Sequence, residues 1–123
     1  MLERSPLVAF APATDLDRAQ AFYAGVLGLP LVERSPYACV FAAAGTTLRV
    51  TLVGATAGAP YTILGWEVPD IAVTVGALAL AGVIFLRYDG MAQDDQGVWT
   101  TPDGARVAWF PDPDGNVLSL TQR

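Results

Sequence analysis

The strongest constraint on the fold is an internal repeat. Asp15 and Asp70 each follow a short strand-like apolar run and each precede an apolar run at helical spacing. Superposing the two brings Leu16 onto Ile71 and Gly28 to within one position of Gly82. In the first copy Leu7 to Ala13 is the strand, and Thr14-Asp15 supplies a helix cap. Leu16, Ala19, Phe22, Tyr23, Val26 and Leu27 then fall at the period of a helix with one buried face, closed by Gly28. Strand-like runs follow at Leu31–Arg34, Tyr37–Ala43 and Thr47–Val53, parted by Ser35-Pro36 and by Gly45.

The second copy repeats that order. It has a strand at Thr62–Val68, a cap at Asp70 and a helix over Ile71–Ala81 with Ile71, Thr74, Val75 and Leu78 on one face. Gly82 ends it, and strands are predicted near Val83–Arg87, Val98–Thr101, Arg106–Phe110 and Val117–Gln122. The stretch Gly54 to Pro60 is small, uncharged and rich in turn formers, which makes it the linker. The expectation is a single domain of two strand–helix–strands modules, about 1–56 and 60–123. Each half alone is too small for a secure core, so it should pack on the other or on a partner's.

The sharpest local signal is Asp112-Pro113-Asp114-Gly115-Asn116, between two strand-like runs. Pro fixes φ, and Gly and Asn tolerate positive φ, so the segment is a hairpin turn. A calcium loop of the EF-hand type is excluded, because the glycine arrives early and Arg123 stands where a bidentate Glu is required.

Composition narrows the chemistry. All 7 basic residues are Arg and there is no His, so no histidine base, Ser-His or Cys-His pair or His-ligated metal is possible. The one cysteine, Cys39, excludes internal disulfides and CxxC zinc sites and reads as a small buried hydrophobe. A net charge of −5 with scattered Arg argues against nucleic acid and anionic lipid, and serves solubility or a cationic ligand. Ile71 to Leu86 is uncharged but too short and too Gly-interrupted to span a membrane. No targeting segment is visible, and the expected location is cytoplasmic.

Three segments, TDLDRAQAFYAGVLGL, WEVPDIAVTVGALALAGV and WFPDPDGNVLSL, resemble the vicinal oxygen chelate superfamily of glyoxalase I, extradiol dioxygenases, fosfomycin-resistance transferases and bleomycin-binding proteins. The resemblance runs over nearly the whole chain in the family's order. It implies an α+β fold of two βαβββ modules forming a cup-shaped mixed sheet with helices outside, and a homodimer. It also implies a metal held in the cup by four side chains, typically His or Gln, Glu, His and Glu. Carried over by motif, those positions are Val8, Arg49, Ile63 and Ser119. Two aliphatics, a guanidinium and a hydroxyl cannot hold a divalent cation, so the expectation is no metal and no cofactor. Carboxylates alone offer little, since the strands supply only Glu67 and Glu33.

Strand alternation then puts Val8, Phe10, Arg49, Thr51, Ile63, Gly65, Glu67, Val117, Ser119 and Thr121 in the cup, with Leu48, Val50, Leu64, Trp66, Leu118 and Leu120 toward the helices. The expected ligand-binding residues are Phe10, Arg49, Thr51, Glu67, Trp99, Trp109 and Ser119. Arg49 would pair with a ligand carboxylate or phosphate, or else with Glu67 or solvent. Glu67, if desolvated, would serve as a general base; otherwise it is salt-bridged or exposed. Trp99 and Trp109 would wall the cleft or pack in a core or dimer interface, and Tyr88 to Gly97 would cover the mouth or lie as a plain solvated loop. The leading expectation is metal-free binding of a small organic molecule. The alternatives are a lyase- or dioxygenase-like enzyme using an atypical metal or Glu67, and an assembly module whose cup is filled by its own side chains.

Overall fold

The computed structural model describes residues 1–123, which divide into two compact units, Met1–Ala57 and Gly58–Arg123. In the first unit β1 (Val8–Ala13) leads through the Asp15 cap into α1 (Leu16–Gln20), and β2 (Leu31–Arg34), β3 (Ala38–Ala43) and β4 (Thr46–Leu52) follow. The strands order as β1-β4-β3-β2, with β1 parallel to β4 and the other pairs antiparallel. The second unit repeats this with β5 (Thr62–Glu67), α2 (Ile71–Leu80), β6 (Trp99–Thr100), β7 (Arg106–Pro111) and β8 (Val117–Gln122), ordered β5-β8-β7-β6. Both units are therefore βαβββ, an α+β architecture of two four-stranded mixed sheets.

Both helices begin as the cap residues require. Asp15 and Asp70 sit in extended backbone, and their carboxylates accept the amide hydrogens of Arg18 and Val73 at 3.1 and 3.2 Å. One face of each sheet is buried against its helix. In the first unit Ala11, Cys39, Phe41, Leu48 and Val50 are buried with Leu16, Ala19 and Tyr23 of the helical segment, and the Tyr23 and Phe41 rings lie 5.7 Å apart. In the second, Ala108, Phe110, Leu118 and Leu120 are buried with Ile71, Val75 and Leu78. The Gln122 side chain, also on the helix side of β8, accepts the amide hydrogen of Ile71 at 2.8 Å. Each large apolar side chain so removed from water contributes on the order of 1.5–3 kcal/mol.

Three expectations are corrected. The first helix is not uniform: after Gln20 it widens into a π-helical stretch over Ala21–Val26, with the Leu27 amide bonded to the Phe22 carbonyl five residues back at 2.9 Å. The wider winding keeps Tyr23 buried and leaves Phe22, Val26 and Leu27 only half-buried, where a regular helix would have put all four on one stripe. Secondly, Val83–Arg87 forms no strand. The place beside β7 belongs to β6, and the segment keeps one sheet-like bond, from the Leu86 amide to the Trp109 carbonyl at 2.8 Å. Gln93 satisfies much of the rest: its amide donates to the carbonyls of Leu86 and Gly97 at 2.9 and 2.8 Å, and its oxygen accepts the Tyr88 amide hydrogen at 2.8 Å.

The third correction concerns Ile63. A register shift between Thr62 and Leu64 makes Ile63 the extra residue of a bulge, so Thr62 and not Ile63 stands across from Val117. The Asp112–Asn116 hairpin turn is present. The Gly115 amide bonds to the Asp112 carbonyl at 3.0 Å, and Gly115 takes φ +80, which only glycine adopts freely. Asp112, 6% exposed, accepts the amide hydrogens of Asp114 and Asn116 and the Asn116 side-chain N–H, so its carboxylate staples the turn.

Candidate functional site

Strand register sets out the face of each sheet opposite its helix as cross-strand rows. In the first unit the central row is Phe10, Arg49 and Val40; in the second the corresponding row is Gly65, Ser119 and Trp109. The flanking rows are Pro12, Thr51 and Ala38 in the first unit, and Glu67, Thr121 and Val107 in the second. Register thus puts Phe10, Arg49 and Thr51 on one open face, and Glu67, Ser119 and Trp109 with Trp99 on the other. Trp99 joins because it pairs with Val107.

On the first face Phe10 is 61% exposed and Arg49 is half-buried. The Arg49 guanidinium makes no ion pair, unlike Arg34, which binds Asp17 at 2.8 Å and Gln20 at 2.6 Å. One row along, Thr51 Oγ1 is buried without a hydrogen-bond partner, a state that costs about 1–3 kcal/mol unless something else satisfies it. The two stand two residues apart on one strand face, with the Arg49 guanidinium half-buried and the Thr51 hydroxyl oxygen closed off from solvent.

The second face carries the aromatic cluster. Trp109 meets Tyr88 edge-on at 5.4 Å and Trp99 at 6.3 Å in a tilted pair. A cavity of about 350 Å³ opens beside them, lined by Tyr61, Thr62, Tyr88, Met91, Trp109 and Val117. It lies in the size range of small-molecule sites. Of its lining, Trp109 and Val117 are expected from the sequence, and Tyr88 and Met91 fall in the stretch read as a covering or a plain solvated loop. Tyr61 and Thr62 are not anticipated. Tyr61 directly follows the linker, and Thr62 reaches the face only through the bulge, which no alternation rule anticipates. Ser119 is 7% exposed, and a Cβ at Gly65 would come to 2.8 Å of its Oγ.

Glu67 stands in solvent with its side chain 66% exposed, and pairs with Arg123 at 3.5 Å. It lacks the apolar enclosure that a strand carboxylate needs to act as a general base. Cys39 is fully buried and its Sγ donates to the Leu16 carbonyl at 3.7 Å; burial pushes its thiol pKa upward, so it is no ready nucleophile.

The scan against family models matches residues 7–120 to the Glyoxalase/Bleomycin resistance protein/Dioxygenase superfamily. The chain belongs to this superfamily. Among solved structures, the lactoylglutathione lyase of Agrobacterium tumefaciens matches with a TM-score of 0.75 at 19% identity, over 97% of this chain and 93% of that one. TnmS3, an antibiotic binding protein from Streptomyces sp. CB03234, matches with a TM-score of 0.70 at 23% identity, over 99% and 98%. TioX from Micromonospora sp. ML1 matches at 0.73 and 22% identity, over 96% and 98%. At these identities the likeness establishes the fold. No curated protein matches the chain significantly.

The side chains do not fit the metal that glyoxalase-superfamily enzymes hold. Val8 offers no donor atom, Arg49 offers a positive charge, and Ser119 and Thr62, which takes the place of Ile63 on the face, offer one hydroxyl each. Nowhere do three or more His, Cys, Asp or Glu side chains gather as a metal-holding group. No helix is long and apolar enough to cross a membrane.

Proposed function

We propose that this superfamily member binds a small, flat organic molecule without a metal, against the aromatic face of its second sheet. The observation that carries the reading is the cavity of about 350 Å³ walled by Trp109, Tyr88, Tyr61 and Met91. Aromatic walls with few polar groups suit a ring system held by stacking and area burial. The superfamily's name includes bleomycin resistance, and TnmS3 is an antibiotic binding protein, which agrees with this reading. On the first sheet, Arg49 is the group for a ligand carboxylate or phosphate, since its guanidinium makes no ion pair, and Thr51 stands beside it on the same strand face. We place the protein in the cytoplasm as a homodimer. Sedimentation equilibrium tests the dimer, and a monomer mass at micromolar concentration removes it.

The test is a thermal-shift screen of flat aromatic compounds and small acids, with affinities for the hits measured by tryptophan fluorescence and calorimetry. For aromatic hits, Trp109→Ala should weaken binding at least tenfold, about 1.4 kcal/mol. Arg49→Ala should weaken acidic hits and spare neutral ones. Hits indifferent to Trp109→Ala would remove the aromatic site. Stoichiometric Mn, Fe, Ni or Zn in protein purified without chelator would remove the metal-free reading.

A further inference from the structure

We infer that Gln93 is a positioning residue for the aromatic site: its side-chain amide holds Tyr88 against Trp109 although Gln93 itself does not line the cavity. This rests on the ring-binding reading above, since Tyr88 is one of that cavity's walls. No regular element holds Tyr88. It lies between α2 and β6, on the irregular chain that follows Val83–Arg87, and it is 38% exposed. A wall so placed opens locally unless its backbone is tied.

Gln93 supplies the tie. A side-chain amide offers two donors and an acceptor, and the loop uses all three. Its N–H groups donate to the carbonyls of Leu86 and Gly97 at 2.9 and 2.8 Å, which joins the two ends of the loop, and its oxygen accepts the Tyr88 amide hydrogen at 2.8 Å. The Gln93 backbone also stands opposite Trp99 in an antiparallel bridge, beside the bond from the Asp94 amide to the Val98 carbonyl at 2.9 Å. Leu86 in turn bonds through its amide to the Trp109 carbonyl at 2.8 Å. Gln93 is therefore linked to all three rings of the cluster: to Tyr88 directly, to Trp99 across the bridge and to Trp109 through Leu86.

Neither Glu nor Met can replace it, because Glu keeps the acceptor but loses both donors, and Met keeps the shape but loses all three groups. The far end of the loop has its own ties. The Arg87 guanidinium donates to the Asp95 carbonyl at 2.8 Å, and the Asp94 carboxylate accepts the amide hydrogens of Gln96 and Val98, each at 2.9 Å. Losing the Gln93 amide should thus free Tyr88 without unravelling the turn that follows.

Amide hydrogen exchange on the full chain reads the tie without any ligand. In Gln93→Met the Tyr88 amide should exchange roughly tenfold faster, while the amides of Ala108 and Leu120, paired in the sheet, stay as slow as in wild type. Calorimetry with 1-naphthalenesulfonamide then reads the site. Gln93→Met should weaken this probe about fivefold, because binding must now order Tyr88 as well, and Gln93→Glu should weaken it as much. In a Tyr88→Ala background Gln93→Met should change the affinity no further, a coupling that a merely structural residue would not show. Unchanged Tyr88 exchange, a probe that binds Gln93→Met as tightly as wild type, or an equal loss with and without Tyr88 overturns the positioning role and leaves the aromatic site standing. If the probe does not bind wild type, or binds Trp109→Ala equally well, the ring-binding reading falls and this inference falls with it.

Discussion

In the first unit the central row of the open sheet face reads Phe10, Arg49, Val40; in the second the same three places read Gly65, Ser119, Trp109. Bulk has moved from the edge strand to the inner strand, and the guanidinium has been replaced by a hydroxyl. The helix-facing sides did not diverge in that way: each centres on one fully buried phenylalanine, Phe41 or Phe110, paired with a second aromatic ring. A duplicated βαβββ unit is thus held constant where packing demands it and changed where the sheet is bare. Only the changed face can distinguish one ligand from another.

The largest effect should come from breaking the conserved side. Phe41→Ala and Phe110→Ala each remove a ring that is 0% exposed, a class of change that costs about 3–5 kcal/mol. The two should not cost the same. Tyr23, which packs on Phe41, is itself 1% exposed and fixed on the helical segment, so the cavity left behind cannot collapse. Phe85, which packs on Phe110 at 5.5 Å, is half-buried on the irregular segment that replaced a strand, and has room to move inward. Urea denaturation should therefore show Phe41→Ala as the more damaging by about 1 kcal/mol. The opposite ranking would mean that the irregular segment is the more rigid of the two.

A smaller effect tests the divergent row. Gly65 has no positive φ, so alanine there meets no backbone strain; the obstacle is Ser119 Oγ at 2.8 Å from the new Cβ. Gly65→Ala should destabilise by about 1–2 kcal/mol, as small-to-large changes at close-packed sites do. With Ser119→Ala already present, the same substitution should become neutral or stabilising by a few tenths of a kcal/mol, because the entropy gained from replacing glycine is then unopposed. A double-mutant cycle with no coupling would mean that Ser119 turns away freely and that this row is not close-packed.

Much of this was legible in the chain itself, for physical reasons that can be named. The two Asp caps, the glycine stops and the alternation of Leu48, Val50, Leu118 and Leu120 are local rules, and local rules survive folding. The π-helical stretch, the bulge at Ile63 and the loss of a strand over Val83–Arg87 were not legible, because each is settled by what the neighbouring backbone offers. The site divides the same way. Trp99 and Trp109 lie on strands that the apolar runs mark, whereas Tyr61 and Thr62 reach the cavity through loop and bulge geometry that has no period to read.

The smallest expected effect separates the two cores by chemistry. The first unit buries a thiol, Cys39, and the second buries none. Burial raises the Cys39 pKa above its ordinary value, so between the two values the unfolded chain has lost a proton that the folded chain keeps. The sign follows: the stabilisation is complete below the ordinary thiol pKa and is lost as pH climbs through the raised one. Stability measured from about pH 8 upward should thus fall more steeply in wild type than in Cys39→Ala, even though the variant is less stable at neutral pH for want of packing. The slope and not the level is the readout. Parallel slopes would mean that the thiol ionises as easily inside as outside, which only a water path to Sγ would permit.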